Sequence, residues 1–376
     1  MTATRTDKVA RVDVTAAVTP GTLLAWGRNI TGQLGDGTTT DRALPAPVPG
    51  LTAVTALAEG SDHTLAVLSN GTVRAWGSNS NGQLGDGTKT NRSTPAPVPG
   101  LTGVVAVAGG LAHSLALLAD GRLFAWGRNS QGQLGIGSSG GDQRTPVQVQ
   151  NLGLTRVKAV AAGDRFTLVL SSDGTVLACG SNSSGQLGDG TATARSTLAP
   201  VQNLIPAKAI AAGRRHSMVL TSNGGIRAWG DNNNGQLGNG STTGSSLPVT
   251  VSLQSLDGPA IAVASRGLHS LALMANGRIK GWGENGDGQL GDGGTNSPRV
   301  FPVQVASGAD SAIAIAAGFN HSMALLTNGT VRAWGDNSVG QVGDGTTIDR
   351  TRPAQVSGLV GITAVTAAGN SSFALQ

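Results

Sequence analysis

The chain has no tyrosine and one cysteine, and Asp, Glu, Lys and Arg make up only 12% of its 376 residues. The lone thiol, Cys179, excludes an internal disulfide and a cysteine-based zinc site. No apolar run approaches the roughly 18 residues a membrane helix needs, so no membrane insertion is expected. The first twenty residues, MTATRTDKVARVDVTAAVTP, lack the apolar segment of a secretory leader and read as a flexible arm. That start implies the cytoplasm if it is native, and an extracellular protein if a leader has been trimmed. The sequence pI of about 10.1 comes from a net charge of only +5. With no tyrosine and few lysines, little titrates between neutrality and the arginine range. The surplus makes no dense basic field, so nucleic acid is not an expected partner.

What is abundant is glycine, 58 residues, arranged in a repeat. GRNITGQLGDGTTTDRALP begins at Gly27, and GSNSNGQLGDGTKTNRSTP follows at Gly77. Trp-Gly occurs at Trp26, Trp76, Trp126, Trp229, Trp282 and Trp334, with Cys179-Gly180 filling a seventh slot. The slots lie 50 to 53 residues apart, and a G-Q-[LV]-G loop follows every one. Each unit reads as four short strands: VTALAEG, HTLAVL after a two-residue link, VRAWG after an NGT turn, and a proline-bearing edge strand PAPVPG.

Four antiparallel strands repeated seven times predict an all-β, seven-bladed β-propeller. The chain starts in a third strand, GTLLAWG, and ends after a second, ITAVTAAGNSSFALQ. The two ends are therefore expected to share one blade. The units are read as 362–376 with 21–49, then 51–99, 101–151, 154–203, 205–253, 259–305 and 310–356, forming a single domain over 21–376.

The consensus AAGxxHSxALxxNGxVxAWGxNxxGQLGDG resembles the repeat of the regulator of chromosome condensation (RCC1) family across residues 21–376. That resemblance implies a propeller acting as a protein-interaction scaffold. Relatives of this kind include nucleotide-exchange factors, ligase-associated modules and secreted enzyme inhibitors. Exchange factors carry a wedge insertion, which the even unit lengths here do not provide. Plant ultraviolet-B receptors of the fold use extra tryptophans, and this chain has none beyond the repeat slot.

The glycine-rich loop is read as architecture, because a phosphate cradle would need a helix after it. Gln33 and its equivalents are expected to hydrogen-bond loop backbone. Asp36 with Arg42, and the matching pairs in four other units, are expected to form bidentate bridges within the loop. All five histidines fill one slot (His63, His113, His216, His269, His321) and are assigned to packing and backbone hydrogen bonding. Cys179 is read as a buried, inert thiol. Neither a catalytic constellation nor a cofactor or metal site is expected.

Function is sought where the repeats disagree. The links before the histidine slot carry Asp62, Arg165, Arg214, Arg215, Phe319 and Asn320, and Arg266 replaces the preceding glycine in one unit. The arginines are expected to form a cationic arc around the mouth of the central channel, faced by acids such as Glu284. The expected function is non-catalytic binding of a protein partner through this rim, by a monomer. A secreted inhibitor-type binder, and an enzyme or small-molecule binder at the channel mouth, are the alternatives.

Overall fold

The computed structural model describes residues 21–149, 156–254 and 258–376. The expected arm at 1–20 lies outside the described residues. The strands of the described chain form seven separate four-stranded antiparallel sheets. We number the blades from the one closed by the termini, in which Ala364–Ala368 and Ser371–Leu375 precede Leu23–Gly27 and Arg42–Pro47. Leu23 to Gly27 pair in continuous register with Leu375 back to Ser371, so the ring is fastened by main-chain hydrogen bonds between its two ends.

Blade 2 shows why the unit folds as it does. Its first strand, Val54–Glu59, is built of small and apolar residues and stands innermost. The second and third strands, His63–Leu68 and Val73–Gly77, are almost wholly buried. The fourth, Arg92–Pro97, is only half-buried. Prolines sit at this outer edge, where a missing N–H costs no ladder bond. A register shift between Ala75 and Gly77, against the fourth strand, lets the long loop leave the sheet.

A single blade has two apolar faces and cannot bury both. Among the described residues the core is accordingly divided over the joints between blades, in seven apolar clusters each made from two neighbours. One joins Leu65, Val67 and Leu84 of blade 2 to Val107, Leu118 and Trp126 of blade 3. Another joins Leu23, Leu34 and Phe373 of blade 1 to Val54, Leu57 and Trp76 of blade 2. All six tryptophans are fully buried at these joints.

The long loop is clamped in the same joints. Gly35 has φ +76°, and a β-carbon there would lie 2.6 Å from the indole Nε1 of Trp76 on the next blade. Both the left-handed backbone and the missing side chain are required. The Trp76 indole donates to the Gln33 carbonyl at 2.8 Å. The same bond recurs at the other five tryptophans, while Cys179 holds only a 3.7 Å contact to the Gln133 carbonyl.

Inside the loop, Gln33 accepts from the Thr31 amide, and the equivalent glutamines do likewise, as the sequence implies. All five expected Asp–Arg pairs form, among them Arg42 with Asp36 at 2.5 Å and Arg92 with Asp86 at 2.6 Å. They are not bidentate. The arginine holds one oxygen, and the other accepts from the Thr38 amide and hydroxyl and from Asn29. Asn29, which the sequence reading passed over, is the hub of this loop: its side chain also accepts from the Leu34 amide.

Candidate functional site

The links between first and second strands and the start of each long loop lie at the same end of every blade. Ser78 N–H donates to Asp62 carbonyl, Ser181 to Arg165 and Asp231 to Arg215, and the other four blades repeat the bond. The links also bond to one another around the axis: Leu111 donates to Asp164, Asp164 to Arg214, and Arg214 to Gly267. At the next joint Gly267 passes so close to the Phe319 carbonyl that a β-carbon would be 1.8 Å away. The channel mouth is therefore a near-continuous backbone ring, and its side chains stand on a rigid base.

The variable residues divide into three environments on this base. Arg165 and Arg215 are exposed, at the same slot of blades 4 and 5. Arg214 is exposed as well, but it faces Asp164 at 3.3 Å and lies over the Phe319 ring, 5.6 Å from its centroid. Phe319 and Asn320 are half-buried. Asp62 is held in place by its neighbours, accepting from Gln33 at 3.2 Å with Arg28 at 3.9 Å. Burial nevertheless keeps its carboxyl above the usual range, against the pull of Arg28 and Arg266. Glu284 is half-buried, its carboxyl raised by burial and by Asp287, with Arg214 opposing.

Arg266 corrects the sequence reading. It is 5% exposed and stands inside the channel, not on the rim. Its guanidinium donates to the Ala162 carbonyl of blade 4 at 2.9 Å and lies 5.8 Å from the Phe319 centroid. The arc on the surface is therefore three arginines on two blades.

Below the mouth is a residue the sequence reading missed. Glu59 ends its strand where the other units carry Gly, Ala or Ser, and it is 7% exposed. One oxygen accepts from the Thr366 hydroxyl at 2.7 Å, across the joint with blade 1, and the other has no partner among the described residues. Burial pushes its carboxyl up to about 7, with Thr366 and the Arg266 charge opposing. A departure from Gly and Ala at that slot was the available signal. Glu59 and Arg266 line an axial cavity of about 40 Å³ with Ser265, Thr366 and small residues. That space suits a few waters.

The histidines are packed and buried as expected, but Nε2 takes a different hydrogen-bond partner. His63 Nε2 lies 2.9 Å from Ser114 Oγ on the next blade, and Ser114 in turn donates to the Gln83 carbonyl. The serine must then accept, which fixes the proton on Nε2. The partner is a neighbouring hydroxyl, where the sequence reading had backbone. Burial holds the four histidines other than His321 down to about 3 and His321 to about 4. They are neutral struts between blades. Among the described residues no three His, Cys, Asp or Glu side chains gather as a metal site, and no helix is long and apolar enough to cross a membrane.

Comparison with known proteins agrees with the repeat and the ring. The chain is 33% identical over 220 residues to the ultraviolet-B receptor UVR8 of Arabidopsis thaliana, covering 58% of this chain and 50% of that protein. It is 48% identical over 205 residues to the probable E3 ubiquitin-protein ligase HERC3 of Homo sapiens, covering 53% of this chain and 19% of that protein. It spans half the length or less of these curated relatives. In structure it resembles Prp20p of Saccharomyces cerevisiae, described with its binding to Gsp1p and histones (TM-score 0.85, 24% identity, 95% of this chain and 91% of that one). Human WBSCR16 superposes with TM-score 0.84 at 22% identity, over 94% of this chain and 98% of the other. At these identities the likeness shows the fold alone. The pattern described as the regulator of chromosome condensation (RCC1) repeat matches residues 20–67, 70–117, 120–170, 173–220, 223–273, 276–325 and 328–375. With seven matched repeats building seven blades in a closed ring, the chain belongs to the RCC1 repeat family.

Proposed function

We propose that the protein is a non-catalytic interaction scaffold that binds a partner protein through the rim formed by the long loops and the variable links. The observation that carries the reading is a division of labour within the repeat. Positions that fill the joints are nearly invariant from blade to blade, whereas the links, held on a rigid backbone ring, present Arg165, Arg214 and Arg215 to solvent. A rigid base with differing exposed side chains loses little conformational entropy on binding. The unequal charge of the rim, three arginines against Asp164 and Asp231 on blades 4 and 5 and acids alone at Glu284 and Asp287, favours one orientation of a polar partner. Binding of Gsp1p and histones, stated for Prp20p, supports a protein partner as the class.

The test is capture from the native source with the wild-type chain and an Arg165→Glu/Arg214→Glu/Arg215→Glu variant of unchanged melting temperature. A partner enriched by the wild type and lost from the variant supports the rim. Equal retention of every captured protein rejects it.

A further inference from the structure

We propose that Arg165 and Arg215 form a two-point clamp for an extended acidic segment of the partner protein, laid across the rim of blades 4 and 5. The inference rests on the interaction reading above and gives the partner its chemistry.

The two residues occupy the second link position of adjacent blades. In the other five blades that position holds Asp62, Ala112, Leu268, Asn320 and Asn370, none of them a cation. Both side chains are exposed, and among the described residues neither guanidinium has a hydrogen-bond or ion-pair partner. Their main chains, in contrast, are pinned. The Arg165 carbonyl accepts from Ser181 N–H at 2.8 Å and that of Arg215 from Asp231 N–H at 2.9 Å. Other rim arginines are already engaged, Arg214 with Asp164 and Arg28 with Asp62. Arg165 and Arg215 thus combine fixed bases with unsatisfied planar heads, the arrangement suited to bidentate capture of carboxylates.

Spacing and charge select the occupant. The links of blades 4 and 5 are joined directly, Asp164 N–H to the Arg214 carbonyl at 3.2 Å, and the long arginine side chains spread their heads from these bases. An extended chain rises about 3.3 Å per residue, so acids about two to three residues apart meet both arginines. Arg214, lying over Phe319 beside the clamp, adds a flat apolar and cationic surface for the residues between. A nucleic acid fits poorly. Its phosphates run on past two cations and meet Asp164 and Asp231 beside the clamp, then Glu284, Asp287 and Asp336 on the following blades.

The experiment is fluorescence anisotropy at low ionic strength with a labelled Gly/Ser peptide carrying two pairs of glutamates three residues apart. Its Gln and Lys counterparts and a single-stranded oligonucleotide of matched charge are measured alongside. The Glu peptide is expected to bind, and Arg165→Ala with Arg215→Ala to weaken it at least tenfold while Lys89→Ala leaves it unchanged. Equal binding of the Gln peptide, full binding to the double variant, or tighter arginine-dependent binding of the oligonucleotide would overturn the clamp. If the peptide fails while partner capture still depends on the rim, the acidic segment is wrong and the scaffold stands. If the peptide binds while capture ignores the rim, the scaffold reading fails instead.

Discussion

His63 of one blade and Ser114 of the next are joined by a 2.9 Å hydrogen bond in which the imidazole donates, and the serine hydroxyl in turn donates to the Gln83 carbonyl. That carbonyl also accepts from the Trp126 indole, so three side chains and one loop are tied at a single buried point. Equivalent ties at His113, His216, His269 and His321 cross four further joints, with a threonine as the hydroxyl at the first. Gly60 makes room for the ring: a β-carbon there would be 2.0 Å from His63 Cε1.

These histidines make the fold sensitive to acid. Burial holds their folded-state values near 3 to 4, below the ordinary 6.5, so the unfolded chain binds more protons over that window. Their contribution is complete above pH 6.5 and is lost as pH falls toward 3. Denaturant midpoints are expected to drop steeply below pH 6.5. His113→Gln should reduce the pH slope by about one proton. A midpoint flat from pH 7 to 4 would show that the rings are not buried neutral.

Glu59 has the opposite sign. Its folded value of about 7 lies above the ordinary 4.5, so its stabilising contribution is complete below pH 4.5 and is lost as pH rises through 7. The stability of Glu59→Gln relative to wild type is expected to rise across that window by about 3 kcal/mol, at roughly 1.4 kcal/mol per pH unit. The two chains should run parallel below pH 4.5. A constant difference at all pH values would mean that the carboxylate is solvated.

The loop pairs are worth little as ion pairs and more as scaffolding. The Arg42 side chain is 40% exposed, so its coupling to Asp36, measured by a double-mutant cycle with Asp36→Asn and Arg42→Gln, should be at most about 1 kcal/mol. Asp36→Asn alone should cost more than Arg42→Gln, because Asp36 also holds Thr38 and Asn29. Burial, which would raise the Asp36 carboxyl, is outweighed by Thr38, Arg42 and Asn29. Equal single costs with full additivity would remove the pair from the loop's architecture.

Cys179 should resist modification. It is fully buried, and burial pushes its thiol up to about 12. Ellman's reagent at pH 8 is expected to react only as fast as the protein unfolds, with denaturant accelerating both together. Stoichiometric reaction within seconds on the native chain would place the thiol at the surface.

Removal of residues 362–376 takes two strands from blade 1 and uncovers Trp26 and Leu23, whose clusters use Val365, Ala367 and Phe373. Loss of cooperative unfolding, or a fall in melting temperature of at least 10 °C, is expected by calorimetry. An unchanged transition would refute closure by the termini.

The architecture was readable because the repeat states each local requirement seven times. The Trp76 indole meets both Gly35 and the Gln33 carbonyl, and the recurrence of these residues at fixed spacing marked all three as structural. The shared blade followed from strand types at the two ends, Leu23–Gly27 and Ser371–Leu375. Less was legible where an interaction crosses blades. Nothing in the local order of His63 indicates Ser114, fifty-one residues away, as its partner.

At the candidate site, the sequence by itself determined which residues break the repeat: Arg165, Arg214, Arg215, Arg266, Phe319 and Asp62 are departures visible in one dimension. Only the tertiary structure decided which of them face water. Arg266 and Arg215 stand only two positions apart in the register of the repeat, yet ring closure sends the first into the channel beside Glu59 and leaves the second exposed. The cause is geometric. A strand end points toward the axis or toward the rim according to how neighbouring blades pack, and that direction exists only once all seven have closed.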